Sequence, residues 1–271
     1  MDLKERIGID LGRKARLEDG IAWAAKNGVR YLDCELDVDP NALMTFDERR
    51  AGPVRDALAK HGIKLGLHTL SAVNTAEMSP YVSDAVDQYL HGYIDAAKRL
   101  NAGWIVVHGG YHFTGDYRAR MNAGVERLKR ALGHAEKAGV KLLLENLNKE
   151  PDTAEVHYIP HNVAECKFFF ERLSSPALGW AFTVNHAHIV PEGIAGHVAA
   201  LDLTACGEVR LADCRGDREE HLQIGLGTID FAQMFKSIER AGFRGHYMNA
   251  FGSLDDMLQG RDKLAAIASA A

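Results

Sequence analysis

Apolar runs of five to seven residues recur along this chain, each followed by a longer amphipathic stretch, and that alternation constrains the fold more than any other feature. A run this short, set between helical segments, reads as a strand of a parallel sheet covered by helices. Eight such units are present, with strands expected at 6–10, 29–35, 64–68, 104–108, 141–146, 179–185, 208–213 and 245–249. Helical periodicity occupies 18–27, 54–61, 79–100, 119–138, 162–173, 231–241 and 253–268, and a weaker stretch around 194–201 supplies the sixth helix. Asn27-Gly28, His61-Gly62, Ala102-Gly103, Ala138-Gly139 and Ala241-Gly242 each place a glycine where a helix ends in a left-handed residue before the next strand.

Eight units close naturally into an α/β (β/α)8 TIM barrel. The rival arrangement, a doubly wound open sheet, calls for a Gly-x-Gly-x-x-Gly turn after the first strand, which this chain lacks. No stretch rich in Pro, Ser or Gly divides the units, so a single domain is expected over 1–271. With 46% hydrophobic and 25% charged residues the composition is that of an ordinary soluble domain, which excludes a disordered chain. A formal charge of -5 leaves no surplus of cations to displace phosphate counterions, and argues against generic binding to nucleic acid or acidic membranes. No run reaches the roughly 18 apolar residues of a membrane helix. Met1-Asp2-Leu3-Lys4-Glu5-Arg6 lacks the apolar stretch of a secretory signal, so the expected compartment is the cytoplasm. Cys34, Cys166, Cys206 and Cys214 show no Cys-x-x-Cys spacing and read as reduced, mostly buried thiols. Barrels of this kind often pair through surface helices, which leaves a homo-oligomer open.

In such a barrel the chemistry sits at the carboxyl ends of the strands and in the loops that follow. Those ends are polar here: Asp10, Glu35, His68, His108, Glu145 with Asn146, Asn185 with His186 and His188, Arg210 with Asp213, and Asn249. A lone histidine there is more often a hydrogen-bonded structural residue, and a lone carboxylate a helix cap. Eight strand ends converging on one mouth change that reading, because His68, His108, Glu145, His188, Asp213 and His221 would then share a cavity. The loop 214–230 adds Arg215, His221 and three glycines that allow tight turns beside a ligand or, equally, a cover over the barrel rim.

His68 after the third strand, Val107-His108-Gly109-Gly110 after the fourth, Leu144-Glu145-Asn146 on the fifth, Asn185-His186-Ala187-His188 after the sixth, Asp213 after the seventh, and the segment 221–230 together resemble the xylose-isomerase-like superfamily. That superfamily includes sugar isomerases and epimerases, inosose dehydratase and the endonuclease IV branch. In its ketose 3-epimerases a divalent metal is held by Glu, Asp, His and Glu from strands five to eight, and the two Glu residues move the substrate's protons. Glu145 matches the first, but Asn185, Arg210 and Asn249 stand in the other three places. An amide is a poor uncharged ligand and a guanidinium has no lone pair to give. Arg210 is therefore expected to stand where the metal would, paired with Glu145 and offering donors to an oxyanion, provided it faces inward; if Leu211 faces inward instead, Arg210 points into the helix layer. The resemblance to endonuclease IV implies a different metal grouping, His68, His108 and Glu145, with His188, His221 and Glu219 as another.

The reading that results is an isomerase, epimerase or related lyase acting on a small polyhydroxylated carbonyl compound or sugar acid. Glu145, His188, Arg210, Asp213 and His221 are the expected catalytic groups, with Glu145 as base. His68, His108, Asn146, Asn185, Arg215 and Asn249 are expected to bind substrate. The site holds either no cofactor or one divalent metal (Mn, Mg or Zn) on Glu145, His68 and His108. A zinc-dependent abasic-site nuclease and a non-catalytic sugar-binding relative are the alternatives.

Overall fold

The computed structural model describes residues 3–13 and 15–270; the outermost positions of the expected span 1–271, and Met1-Asp2 of the amino-terminal segment, lie outside the described residues. Eight parallel strands close into a barrel: β1 (Ile7–Asp10), β2 (Tyr31–Cys34), β3 (Lys64–His68), β4 (Trp104–Val107), β6 (Lys141–Glu145), β8 (Leu178–Thr183), β9 (Cys206–Leu211) and β10 (His246–Asn249). They follow chain order around the ring, and β10 pairs with β1 through Ile7↔Tyr247 and Gly8↔Met248 to close it. Each expected strand is present; the one at 64–68 has the expected ends, and the others are shifted at one or both ends by a residue or two. Two further strands, β5 (Gly110–Phe113) and β7 (Val156–Ile159), were not expected; they pair antiparallel in the segments that follow β4 and β6.

The helices are α1 (Leu17–Lys26), α2 (Glu48–His61), α3 (Pro80–Leu100), α4 (Tyr117–Ala138), α5 (Val163–Arg172), α6 (Val184–His188), α7 (Gly193–Ala200), α8 (Phe231–Arg240) and α9 (Leu254–Ala270). Local chemistry sets many of their ends. The Asp47 carboxylate accepts from Arg50 N at 3.0 Å and opens α2, and Gly62, at φ 63°, closes it. Asn162 opens α5 in the same way through Glu165 N. The strand expected over 179–185 stops at Thr183, and the short helix α6 takes up the next five residues.

Alternation along each strand divides the molecule into two chemistries. Leu65 and Leu67, Ile105 and Val107, Leu142 and Leu144, Phe182, Val209 and Leu211 face outward into the helix layer and are fully buried there. Inward face Asp33, His68, Glu145, Thr183, Glu208 and Arg210, with a small apolar plug of Tyr31, Trp104, Val106, Leu143, Ala181 and Met248. Arg210 thus looks into the barrel and Leu211 out of it. The four cysteines are free and buried, and among the described residues no helix is long and apolar enough to cross a membrane.

Candidate active site at the carboxyl end of the barrel

A polar cavity of about 470 Å³ opens at the carboxyl ends of the strands. Its walls are built from strand ends, so rigid hydrogen-bonded backbone positions each group. Three donors converge on one side. His68 Nε2 lies 3.1 Å from His108 Nε2 and 3.3 Å from Glu145 Oε2, and His108 Nε2 lies 3.1 Å from that same oxygen. The Thr69 hydroxyl donates to Val106 O at 3.1 Å and stands 3.4 Å from His108 Nδ1, so the proton on that contact belongs to the histidine. Burial pushes the proton affinity of His108 down, and its Nε2 faces the Glu145 carboxylate. Burial opposes the charge on Glu145, but its contacts with His108 and His68 outweigh that and hold the carboxyl well below the ordinary range. Thr183 donates to its other oxygen.

These residues fit a divalent cation. Ligands placed tetrahedrally at about 2.0–2.1 Å from zinc stand about 3.3–3.4 Å apart, close to the separations found here. Two imidazoles and a carboxylate are the donors such an ion prefers.

A second grouping is formed by His186, Glu219 and His221. His186 Nδ1 donates to Asn146 O at 2.9 Å and His221 Nδ1 to Ala250 O at 2.8 Å, which turns both Nε2 atoms toward Glu219 Oε1, at 3.7 and 2.6 Å. Contacts with His186 and His221 hold the Glu219 carboxyl well below its ordinary range. Burial lowers the proton affinity of His221, but Glu219 outweighs it and the net shift is upward. His188, expected from the sequence to belong to this group, is not part of it. Instead His188 Nε2 meets Thr228 Oγ1 at 2.9 Å, two residues further along α6, and does not line the cavity.

Arg210 occupies the floor of the mouth, 3% exposed. Its guanidinium reaches Asp33 Oδ2 at 2.7 Å, Glu208 Oε1 at 2.6 Å and Asp10, while its Nε lies 3.9 Å from Glu145 Oε1. The expected pairing with Glu145 is therefore the most distant of four. Burial works against the charge of Arg210, but Asp10, Glu208 and Asp33 raise its proton affinity well above the usual value. Burial and the neighbouring Glu208 push the Asp33 carboxyl well up.

Of the other expected residues, Asn185 lines the cavity and donates to Glu220 O at 3.2 Å. Four do not line it. Asn146 bonds both backbone groups of Thr183, clamping β6 to β8. Asp213 accepts from the backbone amides of Cys214, Gly225, Gly227 and Ile229 and so folds the loop 214–230. Arg215 is exposed and pairs with Glu220. Asn249 points outward and donates to Met257 O in α9. Conversely, Asp10, Arg13, Glu35 and His186 line the cavity without having been assigned to the site. Glu35 sits beside Arg13 Nε at 2.9 Å, and burial pushes its carboxyl up. Its signal was a polar residue at the end of β2 in register with the inward-facing Asp33.

Comparison with known proteins agrees with this architecture. The chain is 26% identical over 193 residues to an uncharacterized protein of Methanocaldococcus jannaschii, a match taking in 69% of this chain and 64% of that relative. It is 23% identical over 194 residues to a probable endonuclease 4 of Mycobacterium leprae, across 69% of this chain and 73% of that one. A D-tagatose 3-epimerase-like protein superposes with a TM-score of 0.84 at 18% identity, over 98% of this chain and 97% of its own. The D-psicose 3-epimerase of Clostridium cellulolyticum H10 gives 0.80 at 15% identity, over 98% of each. The family model described as xylose isomerase-like TIM barrel matches residues 21–263. The chain belongs to the xylose isomerase-like TIM barrel family.

Proposed function

We propose that this protein is an isomerase or epimerase that moves a proton at the carbon beside the carbonyl of a small polyhydroxylated compound, with a divalent cation held by His68, His108 and Glu145. The observation that carries this reading is the convergence of those three donors beside a fixed guanidinium, in a polar cavity whose volume suits a monosaccharide. The likeness to sugar 3-epimerases supports the substrate class.

A bound cation would polarise the substrate's carbonyl oxygen. The chain's own residues do the rest. Glu145, held ionised with both oxygens engaged, would hold the ion; its low proton affinity makes it a weak base, so the role expected for it passes to neighbours. Glu35 and His221, both shifted upward and both lining the cavity, are the groups suited to take and return a proton. Arg210, with three carboxylates fixing its orientation, presents permanent positive charge where an enediolate would develop.

Incubating the protein with zinc or manganese in D2O with a panel of ketoses and sugar acids, followed by NMR, tests this. Deuterium should enter at the carbon beside the carbonyl, and Glu145→Gln should lower the rate by about a thousandfold or more while removing the bound metal. A second reading, a metal-dependent nuclease of abasic DNA, is favoured by the presence of two histidine–carboxylate groups in one cavity. Nicking of an abasic duplex without deuterium exchange on any sugar would decide for it.

A further inference from the structure

The opposite end of the barrel carries a second cavity, of about 440 Å³, where Tyr31, Trp104 and His246 begin their strands. The three rings pack on one another, 5–9% exposed, and present their edges to the cavity. His246 stacks on Tyr31 at 4.5 Å with a 5° interplanar angle and lies 4.2 Å from Trp104. The space for these rings comes from absent side chains: a Cβ on Gly66 would meet the Trp104 ring at 2.1 Å. His246 Nε2 is engaged by Glu208 at 2.9 Å, and Trp104 Nε1 donates to Asp33 at 3.1 Å, so the rings are pinned from inside the barrel.

Around this aromatic wall stand three cations, Lys64, Lys141 and Arg244, all exposed. Lys64 Nζ lies 5.3 Å over the Tyr31 ring, Lys141 donates to Pro176 O, and Arg244 donates to Phe243 O at 2.8 Å. Among the described residues none of the three forms an ion pair, and no carboxylate lines the cavity. In a chain with 37 acidic and 32 basic residues, three unpaired cations gathered around one opening make a local field opposite to that of the whole molecule.

We propose that this cavity is a binding site for a small aromatic anion, a flat ring bearing a carboxylate or phosphate group. The ligand's ring meets the edges of Tyr31, Trp104 and His246, and the anionic group meets Lys64, Lys141 and Arg244. Contact of those ring edges with the face of the ligand selects for an aromatic ring, and the cations select for its charge. The site is separate from the mouth and does not depend on the reaction proposed there.

Phenyl phosphate, benzoate, cyclohexanecarboxylate and inorganic phosphate are the probes, titrated into the full chain and followed by tryptophan fluorescence and calorimetry. Phenyl phosphate and benzoate should bind saturably with one site per chain. The triple variant Lys64→Gln, Lys141→Gln, Arg244→Gln, whose changes are all on the surface, should weaken them about tenfold or more. Glu145→Gln at the mouth should leave the titration unchanged. Equal affinity in the triple variant, loss of binding in Glu145→Gln, or inorganic phosphate or cyclohexanecarboxylate binding as tightly as its aromatic counterpart would each overturn the proposal.

Discussion

Four carboxylates surround the guanidinium of Arg210 and hold it in place. Burial and Glu208 push Asp33 well up, Arg210 and His246 hold Glu208 down against its burial, and the charge of Arg210 is met chiefly by Asp10, Glu208 and Asp33. Replacing Arg210 by Met keeps the volume but strips the cation from buried acids, and is expected to lower stability by about 3–5 kcal/mol in denaturant titrations. His221 titrates in the opposite sense. Its proton affinity is raised in the folded, metal-free protein, so the contact with Glu219 contributes fully below the unfolded value near 6.5 and is lost as pH rises through the higher folded value. Melting temperature should therefore fall across that window, and His221→Gln should flatten the slope; an unchanged slope in the variant would remove His221 as its source. At this scale the sequence showed which residues were polar at strand ends, but not which way each pointed. Arg210 and Asp213 stand three apart on a period-two strand, as Glu145 and Asn146 stand one apart, so the members of each pair could not both face the cavity. Once Arg210 points inward, Asp213 is left to fold the loop.

Among the elements, the eight strands and their helices were readable because burial on both faces leaves a continuous apolar run and the intervening glycines mark where helices stop. The pair β5 and β7 escaped that reading. Each has four residues, Gly-Tyr-His-Phe and Val-His-Tyr-Ile, too short and too polar to stand out from a loop. Their pairing depends on Gly110, whose φ is 108° and whose Cβ position lies 2.4 Å from Ala76 N. Gly110→Ala should cost about 2 kcal/mol or more and selectively increase amide exchange in 110–113 and 156–159, with the barrel strands retaining protection. The boundary between β8 and α6 was similarly invisible. A five-residue helix after Thr183 brings His186 into the cavity in place of His188, and no pattern in Asn185-His186-Ala187-His188 distinguishes the two.

For the molecule as a whole, closure joins the two ends of the chain. Arg261 in α9, 4% exposed, donates to Lys4 O, Asn27 O and Gly28 O, fastening the last helix to the first strand's approach and to the end of α1. Arg261→Ala leaves those carbonyls without their charged donor and should cost about 3 kcal/mol, read as a lower melting temperature. Inside the closed ring a polar column runs from His246 through Glu208 to Arg210 at the mouth. The amino-acid order by itself determined the barrel, because strand and helix periods, helix stops and unit count are local properties that survive without neighbours. It also determined that one end would be polar. Which donors meet there was decided only by tertiary structure: His68, His108 and Glu145 come from positions 37 to 77 residues apart, His186 displaces His188 because the two lie on opposite faces of α6, and Arg210 finds Asp33 across 177 positions. Such contacts depend on the register and closure of the ring, which no segment encodes alone.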